Sequence, residues 1–354
     1  MTTKGRTQPP IAVEARIHEH FPQVAQMMDS VPPILAPDWL KGAGSQNIGA
    51  TDFGPDIFEE PLERLCYSLN EDADLNAYGR MMLAGVIRNQ LENRLLMQRL
   101  RAAGELAPRP IPPIIVIGLP RTGTTFLHRL LASDPSHASL PYWQLMGPFP
   151  RHSGDSAEAR IQETATLLEV RRAITPELDG VHMIRAESPE ECMFLTASSM
   201  QSRFFWTFAP VFSFMEWYNH ADRTDKYVEY LEALTYLQKL YPGQRLVPKA
   251  PDHVDGLAEL LDVMPEAIIV QTHRGACQKN LPWDGAGRWA MYSAAMFRVG
   301  LRVWRQAETR SNSSDTTIPL YRSGGRWTGS LCHPRIARRI GPARLGVQLS
   351  PASR

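Results

Sequence analysis

The segment that most limits what this chain can fold into runs from Ile114 to Leu131. It joins a continuous apolar stretch, Ile114-Ile-Val-Ile-Gly118, to Leu119-Pro-Arg-Thr-Gly-Thr-Thr125 and then to Phe126-Leu-His-Arg-Leu-Leu131. A short β-branched run entered through prolines reads as a buried central strand of a parallel sheet, and the apolar spacing of three and four that follows reads as a helix. Strand, glycine loop and helix start bring backbone N–H groups and the positive end of a helix to one point, where an anionic group binds.

Two more strand-to-helix passages follow. Arg245-Leu-Val-Pro-Lys249 reads as a short strand, Asp252 to Met264 as a helix, and Ala267-Ile-Ile-Val-Gln271 as a strand leading to Thr272-His-Arg274. Repetition of this unit predicts an α/β protein with a central parallel sheet flanked by helices, and ligands at the carboxyl ends of the strands. Ahead of it, residues 1 to about 55 are rich in proline and glycine and read as short helices and loops. Leu62 to Leu69 and then Asn76 to Gly104 carry helical spacing, the second as one long flanking helix. Tyr227 to Tyr241 gives another amphipathic helix, and Glu187-Ser-Pro-Glu-Glu191 reads as the start of a helix through Met193, Phe194 and Leu195. The expected division is a helical extension over 1–105, an α/β domain over 106–281 and a basic tail over 282–354.

Composition narrows the functional classes. The chain has 354 residues, 43% hydrophobic and 21% charged, and no apolar run approaching the length of a membrane span. Its four cysteines stand singly and the N-terminal residues lack an apolar h-region, so a cytoplasmic protein without structural metal is expected. The net charge of +1 conceals an asymmetry: Pro282 to Arg354 holds 12 Arg and 3 acidic residues, +9, leaving −8 on the rest. An acidic body argues against specific nucleic-acid binding by the main fold.

The loop has the Gly118-x-x-x-x-Gly123 spacing of a nucleotide-triphosphate loop, but Thr124 stands where that motif has lysine. The cation, Arg121, lies inside the loop and two threonine hydroxyls follow. A planar guanidinium among backbone N–H groups suits a terminal phosphate or sulfate.

On these residues the chain resembles sulfotransferases that use 3′-phosphoadenosine 5′-phosphosulfate (PAPS), in the bacterial branch with proline, arginine and paired threonines in the loop. Three further stretches agree in order: Leu140-Pro-Tyr-Trp-Gln144, His182 through Glu187-Ser-Pro-Glu-Glu-Cys192, and Pro248-Lys-Ala-Pro-Asp-His253 leading to Arg274. The resemblance implies a P-loop-like α/β domain, PAPS as co-substrate without a metal, and a hydroxyl or amine of a small molecule as acceptor. Gly118, Arg121, Thr122, Gly123, Thr124 and Thr125 map onto the 5′-phosphosulfate loop, and Arg274 onto the arginine that binds the 3′-phosphate. The family's serine eight positions later is Pro282 here, and where family members often carry Trp-Glu this chain has Trp143-Gln144.

For the reaction itself, Arg121 and the loop donors are expected to stabilise charge on the transferred group. Candidates for the base are His182, Glu187, Glu190 and Glu191, with helix capping the competing role for the last two. Lys249 and His253 either reach the transferred group or hold strand to helix. Trp143, Phe204, Phe205, Trp206, Phe208, Phe212, Phe214 and Trp217 read equally as an apolar acceptor pocket and as core.

Beyond Leu281 the family pattern is absent, and an arginine-rich Gly/Ser/Pro composition without period predicts a poorly folding tail open to proteolysis. A shifted reading frame, a truncated pattern and a divergent native tail all fit. The competing functions are a catalytically inactive PAP- or PAPS-binding or interaction protein and a P-loop nucleotide kinase. The sequence leaves homo-oligomerisation open.

Overall fold

The computed structural model describes residues 11–106, 111–120, 122–176, 178–179 and 183–272. In chain order the helices are α1 (Ile11–His20), α2 (Pro22–Ser30), α3 (Pro37–Ile48), α4 (Glu59–Glu71), α5 (Ala77–Ala102), α6 (Thr124–Ala132), α7 (Tyr142–Met146), α8 (Ala157–Ile174), α9 (Met193–Thr196), α10 (Phe212–Tyr218), α11 (Thr224–Lys239) and α12 (Leu257–Val263). The strands are β1 (Ile114–Gly118), β2 (His137–Ala138), β3 (Arg245–Leu246) and β4 (Ile268–Thr272). These elements group into two compact units, a helical unit of 11–106 with 139–242 and a strand unit of 111–138 with 243–272. The fold is mixed α/β, with small parallel sheets accompanied by many helices.

In the strand unit β1 runs parallel to β4 over five residues, with Ile114 opposite Ile268 and Gly118 opposite Thr272. On its other edge Val116 N donates to Pro248 O at 2.9 Å and Ala250 N donates to Val116 O at 3.3 Å. The chain leaving β3 therefore pairs with β1, while β3 itself pairs in parallel with β2. The spatial order is β4, β1, the 245–250 chain, β2. Flanked on both edges, β1 buries Ile115, Val116 and Ile117 completely, which explains its uninterrupted apolar sequence. The helix expected over 252–264 is divided into a 3-10 turn at Pro251–Val254 and α12, with Gly256 between them.

In the helical unit α5 starts where the sequence predicts, its N-cap Asn76 accepting from Gly79 N at 2.8 Å. It is more deeply placed than a flanking helix. Gln90, Glu92, Asn93 and Arg94 are all buried, and the Arg94 guanidinium lies 2.7 Å from the Glu229 carboxylate on α11 and 4.3 Å over the Phe58 ring. A buried charge needs a partner and hydrogen bonds, and Pro55 O supplies a further acceptor at 3.0 Å.

One expected element starts late. Pro189 bridges Pro141, Tyr142 N donates to Ser188 O at 3.0 Å, and Glu190 N donates to Leu140 O at 3.2 Å. These bonds tie 188–190 to 140–142 across the start of α7, so helix begins only at Met193 and the two glutamates precede its first turn.

Candidate active site

The loop after β1 is shaped by its glycines and by hydroxyl bonds. Gly118 has φ +149°, and a Cβ there would lie 2.5 Å from Thr272 Oγ1 and 2.8 Å from Thr272 O. Only glycine allows β4 this close. Thr122 Oγ1 donates to Leu119 O at 2.6 Å and lies 2.7 Å from Thr272 Oγ1. Gly123, at φ +97°, is the N-cap of α6, and a Cβ built on it would meet nothing within 4 Å. No side chain among the described residues caps α6, so its first-turn N–H groups and dipole meet at an open glycine. Thr124 is buried and Thr125 exposed. Backbone N–H groups at such an end can donate hydrogen bonds to an anion.

Lys249, in the bridge to Val116, is buried, as are Asp252, His253 and Asp255 just beyond it. Charged residues thus cluster inside the strand unit, at the chain that follows β3. Arg121, His182 and Arg274 lie outside the described residues, as do Pro282 and the whole of 282–354.

In the helical unit, the Pro141–Pro189 bridge and the backbone bonds beside it bring two of the sequence motifs side by side. Glu187 is exposed, Glu191 half-buried and Glu190 buried. The Glu190 Oε1 accepts from Glu191 N at 2.9 Å. Burial pushes the Tyr142 phenol up to about 12, and the Glu190 charge adds to the shift. Gln144 is buried, with its Oε1 accepting from Tyr241 Oη at 2.7 Å.

The aromatic residues divide. Trp143 is buried beneath the Arg160 guanidinium, 4.7 Å from its ring, in a cluster with Leu168, Ile184 and Ala186. Phe204, Phe205 and Phe214 are buried, the first two at a 5.5 Å centroid separation and edge-on. By contrast Phe208 and Phe212 are exposed by 44% and 51%, and Phe212 packs edge-on against half-buried Trp206 at 5.3 Å. Four of the eight are core, and the outward group is Trp206, Phe208 and Phe212 with half-buried Trp217 beside Phe214.

Sequence reasoning missed Thr272, which touches the loop from β4, and Tyr241, which satisfies Gln144. Thr272 was legible only as a polar residue closing an apolar strand. For Tyr241 no local signal exists, because its partner is 97 residues away.

The sulfotransferase family model matches residues 112–317, so the recognised stretch runs past Leu281. Sulfotransferase STF1 from Mycobacterium tuberculosis H37Rv is similar in structure at 32% identity, with a TM-score of 0.60 and 68% of each chain covered. Sulfotransferase STF9 from Mycobacterium avium is similar at 27% identity and a TM-score of 0.57, covering 68% of this chain and 62% of that one. No curated protein matches the sequence. The chain belongs to the sulfotransferase family. Among the described residues no helix is long and apolar enough to cross a membrane, and no group of three or more His, Cys, Asp or Glu could hold a metal ion.

Proposed function

We propose that the chain transfers a sulfuryl group from PAPS to a hydroxyl, or an amine, of a small apolar acceptor. The observation that carries this reading is the α6 N-terminus, capped by an open glycine at the end of a buried parallel strand within the family-matching stretch. PAPS supplies the sulfuryl group when bound. Gly118, Gly123, Thr124 and Thr125 hold the 5′ end through backbone N–H groups and hydroxyls, with Arg121 adding a planar cation and Arg274 taking the 3′-phosphate. Thr122 serves the loop itself, since its hydroxyl hydrogen goes to Leu119 O. His182, Glu187, Glu190 and Glu191 remain the candidates for the group that receives the acceptor's proton. Glu190 is the buried carboxylate among them, and Lys249 is a buried cation of the strand unit.

The same reading takes 106–281 as a P-loop-like domain behind a helical extension over 1–105, with 282–354 as a separate tail. Trp206, Phe208 and Phe212 form the aromatic part of the acceptor site. The buried thiols of Cys66 and of Cys192, whose sulfur accepts from Tyr230 Oη at 3.2 Å, suit a reducing, cytoplasmic setting.

A second reading has a specific observation behind it. Gln144 cannot take a proton, and its carbonyl is already occupied by Tyr241, which favours a nucleotide-binding protein without turnover. Nucleotide titration separates the readings. Adenosine 3′,5′-bisphosphate is expected to bind and ATP not; Arg121→Ala weakens the bisphosphate at least tenfold, the loss of a charge-assisted contact. Unchanged affinity in that variant refutes the donor-loop assignment. Binding without turnover over a broad panel of alcohols, phenols and amines selects the inactive protein.

A further inference from the structure

Three groups converge where β4 ends, and a count of hydrogens orders them. A threonine hydroxyl carries one hydrogen and can accept at its oxygen. Thr122 Oγ1 lies 2.6 Å from Leu119 O and 2.7 Å from Thr272 Oγ1. The carbonyl can only accept, so the Thr122 hydrogen goes to Leu119. The Thr272 hydroxyl must then be the donor to Thr122. The direction of the chain is fixed: Thr272 to Thr122 to Leu119.

This chain ties Thr122 back to Leu119, where the backbone adds a long bond, Thr122 N to Leu119 O at 3.3 Å. Thr272 is itself fixed by the sheet, opposite Gly118 in the β1–β4 register. Its hydroxyl occupies the space that a side chain at 118 would need. The β4 end therefore sets the conformation of the loop across a separation of 150 residues.

We propose that Thr272 is a positioning residue for the anion-binding loop. It acts through Thr122, which it holds against Leu119, so that the N–H groups after Gly123 are presented in one arrangement. It touches no reacting group. Its consequence for donor binding rests on the donor-loop reading above, whereas its effect on the loop does not. Arg274, assigned to the 3′-phosphate, follows two residues later in sequence. The same strand end thus serves both ends of the nucleotide in this reading.

The test uses the full chain with Thr272→Val, which keeps the β-branched shape and removes the hydroxyl, and Thr272→Ser, which keeps the hydroxyl. Hydrogen exchange without nucleotide is measured over residues 116–127. Thr272→Val is expected to accelerate exchange there alone, and Thr272→Ser to match wild type. In titration with adenosine 3′,5′-bisphosphate, Thr272→Val should raise the dissociation constant about fivefold, the effect of one neutral hydrogen bond, and Thr272→Ser should change it by less than about twofold. Equal exchange over 116–127 in wild type and Thr272→Val overturns the proposal, as does faster exchange spread across the chain with a lowered Tm. If wild type fails to bind the bisphosphate, the donor reading falls and the exchange comparison still decides the role of Thr272.

Discussion

The loop after β1 and the aromatic region are built on opposite principles. The loop uses backbone: two positive-φ glycines, an uncapped helix end and a hydroxyl chain ending on a main-chain carbonyl. The aromatic region uses side chains, and its character depends on which rings face inward. A backbone device needs particular residues at consecutive positions and so leaves a local signature. A side-chain device depends on contacts between distant elements. Phe204 and Phe208 are four residues apart and in ring contact at 4.9 Å, yet one is 1% exposed and the other 44%.

The largest expected effect lies inside the aromatic region. Phe205→Ala removes a fully buried ring that packs on Phe204 and Phe214, and should cost about 3–5 kcal/mol of stability. Phe212→Ala, at a half-exposed ring, should stay within about 0.5 kcal/mol. Chemical denaturation of the two variants measures the contrast. Similar losses would erase the division between core and outward rings. With an acceptor identified, Phe212→Ala should raise its KM and leave bisphosphate binding unchanged.

On the loop side, Gly118→Ala should act on binding and stability together. The added Cβ meets the Thr272 hydroxyl and carbonyl, and φ +149° is strained for any L side chain. A cost of about 1–3 kcal/mol from strain, with displacement of the loop, predicts at least a tenfold weaker bisphosphate complex. Gly123→Ala meets open space and suffers only the φ penalty, so it should be the milder change. Calorimetry on both variants ranks them; a reversed order contradicts the role of the β4 contact.

These contrasts explain what the sequence made legible. Ile114 to Leu131 announced strand, loop and helix because each of its signals is local, and β1, Gly118, Gly123 and α6 lie where that pattern puts them. The spacing of α5 likewise located the helix, but its burial was not readable: Arg94 looks like a surface residue until Glu229 meets it from α11. The same limit applies to Glu190. Proline followed by two acids is a sound helix start in isolation, and the pairing of Pro189 with Pro141 overrides it. Trp143 read equally as pocket lining and as core because nothing nearby in sequence predicts Arg160 over its ring.

The smallest expected effect concerns how the aromatic region is anchored. Asp72, at the C-cap of α4, accepts at a single oxygen, Oδ2, from Ser68 Oγ at 2.5 Å, Ser213 N at 2.8 Å and Ser213 Oγ at 2.7 Å. Partial burial pushes its pKa up, but the bonds from Ser68 and Ser213 outweigh that and hold it below the usual carboxylate value. A folded-state pKa below the unfolded one means that the unfolded chain binds the proton first as pH falls. The stabilisation is therefore complete above the unfolded value, near 4, and disappears as pH drops through the folded one. Because the site is partly open to water, the contribution is about 1 kcal/mol, less than a buried charged hydrogen bond gives. Asp72→Asn should lower Tm slightly at pH 7 and reduce the loss of stability between pH 4 and pH 2 by that amount, read from denaturation at a series of pH values. Ser213 lies in the first turn of the helix that carries Phe214. An unchanged acid dependence in Asp72→Asn would mean that the Asp72 charge does not anchor α10.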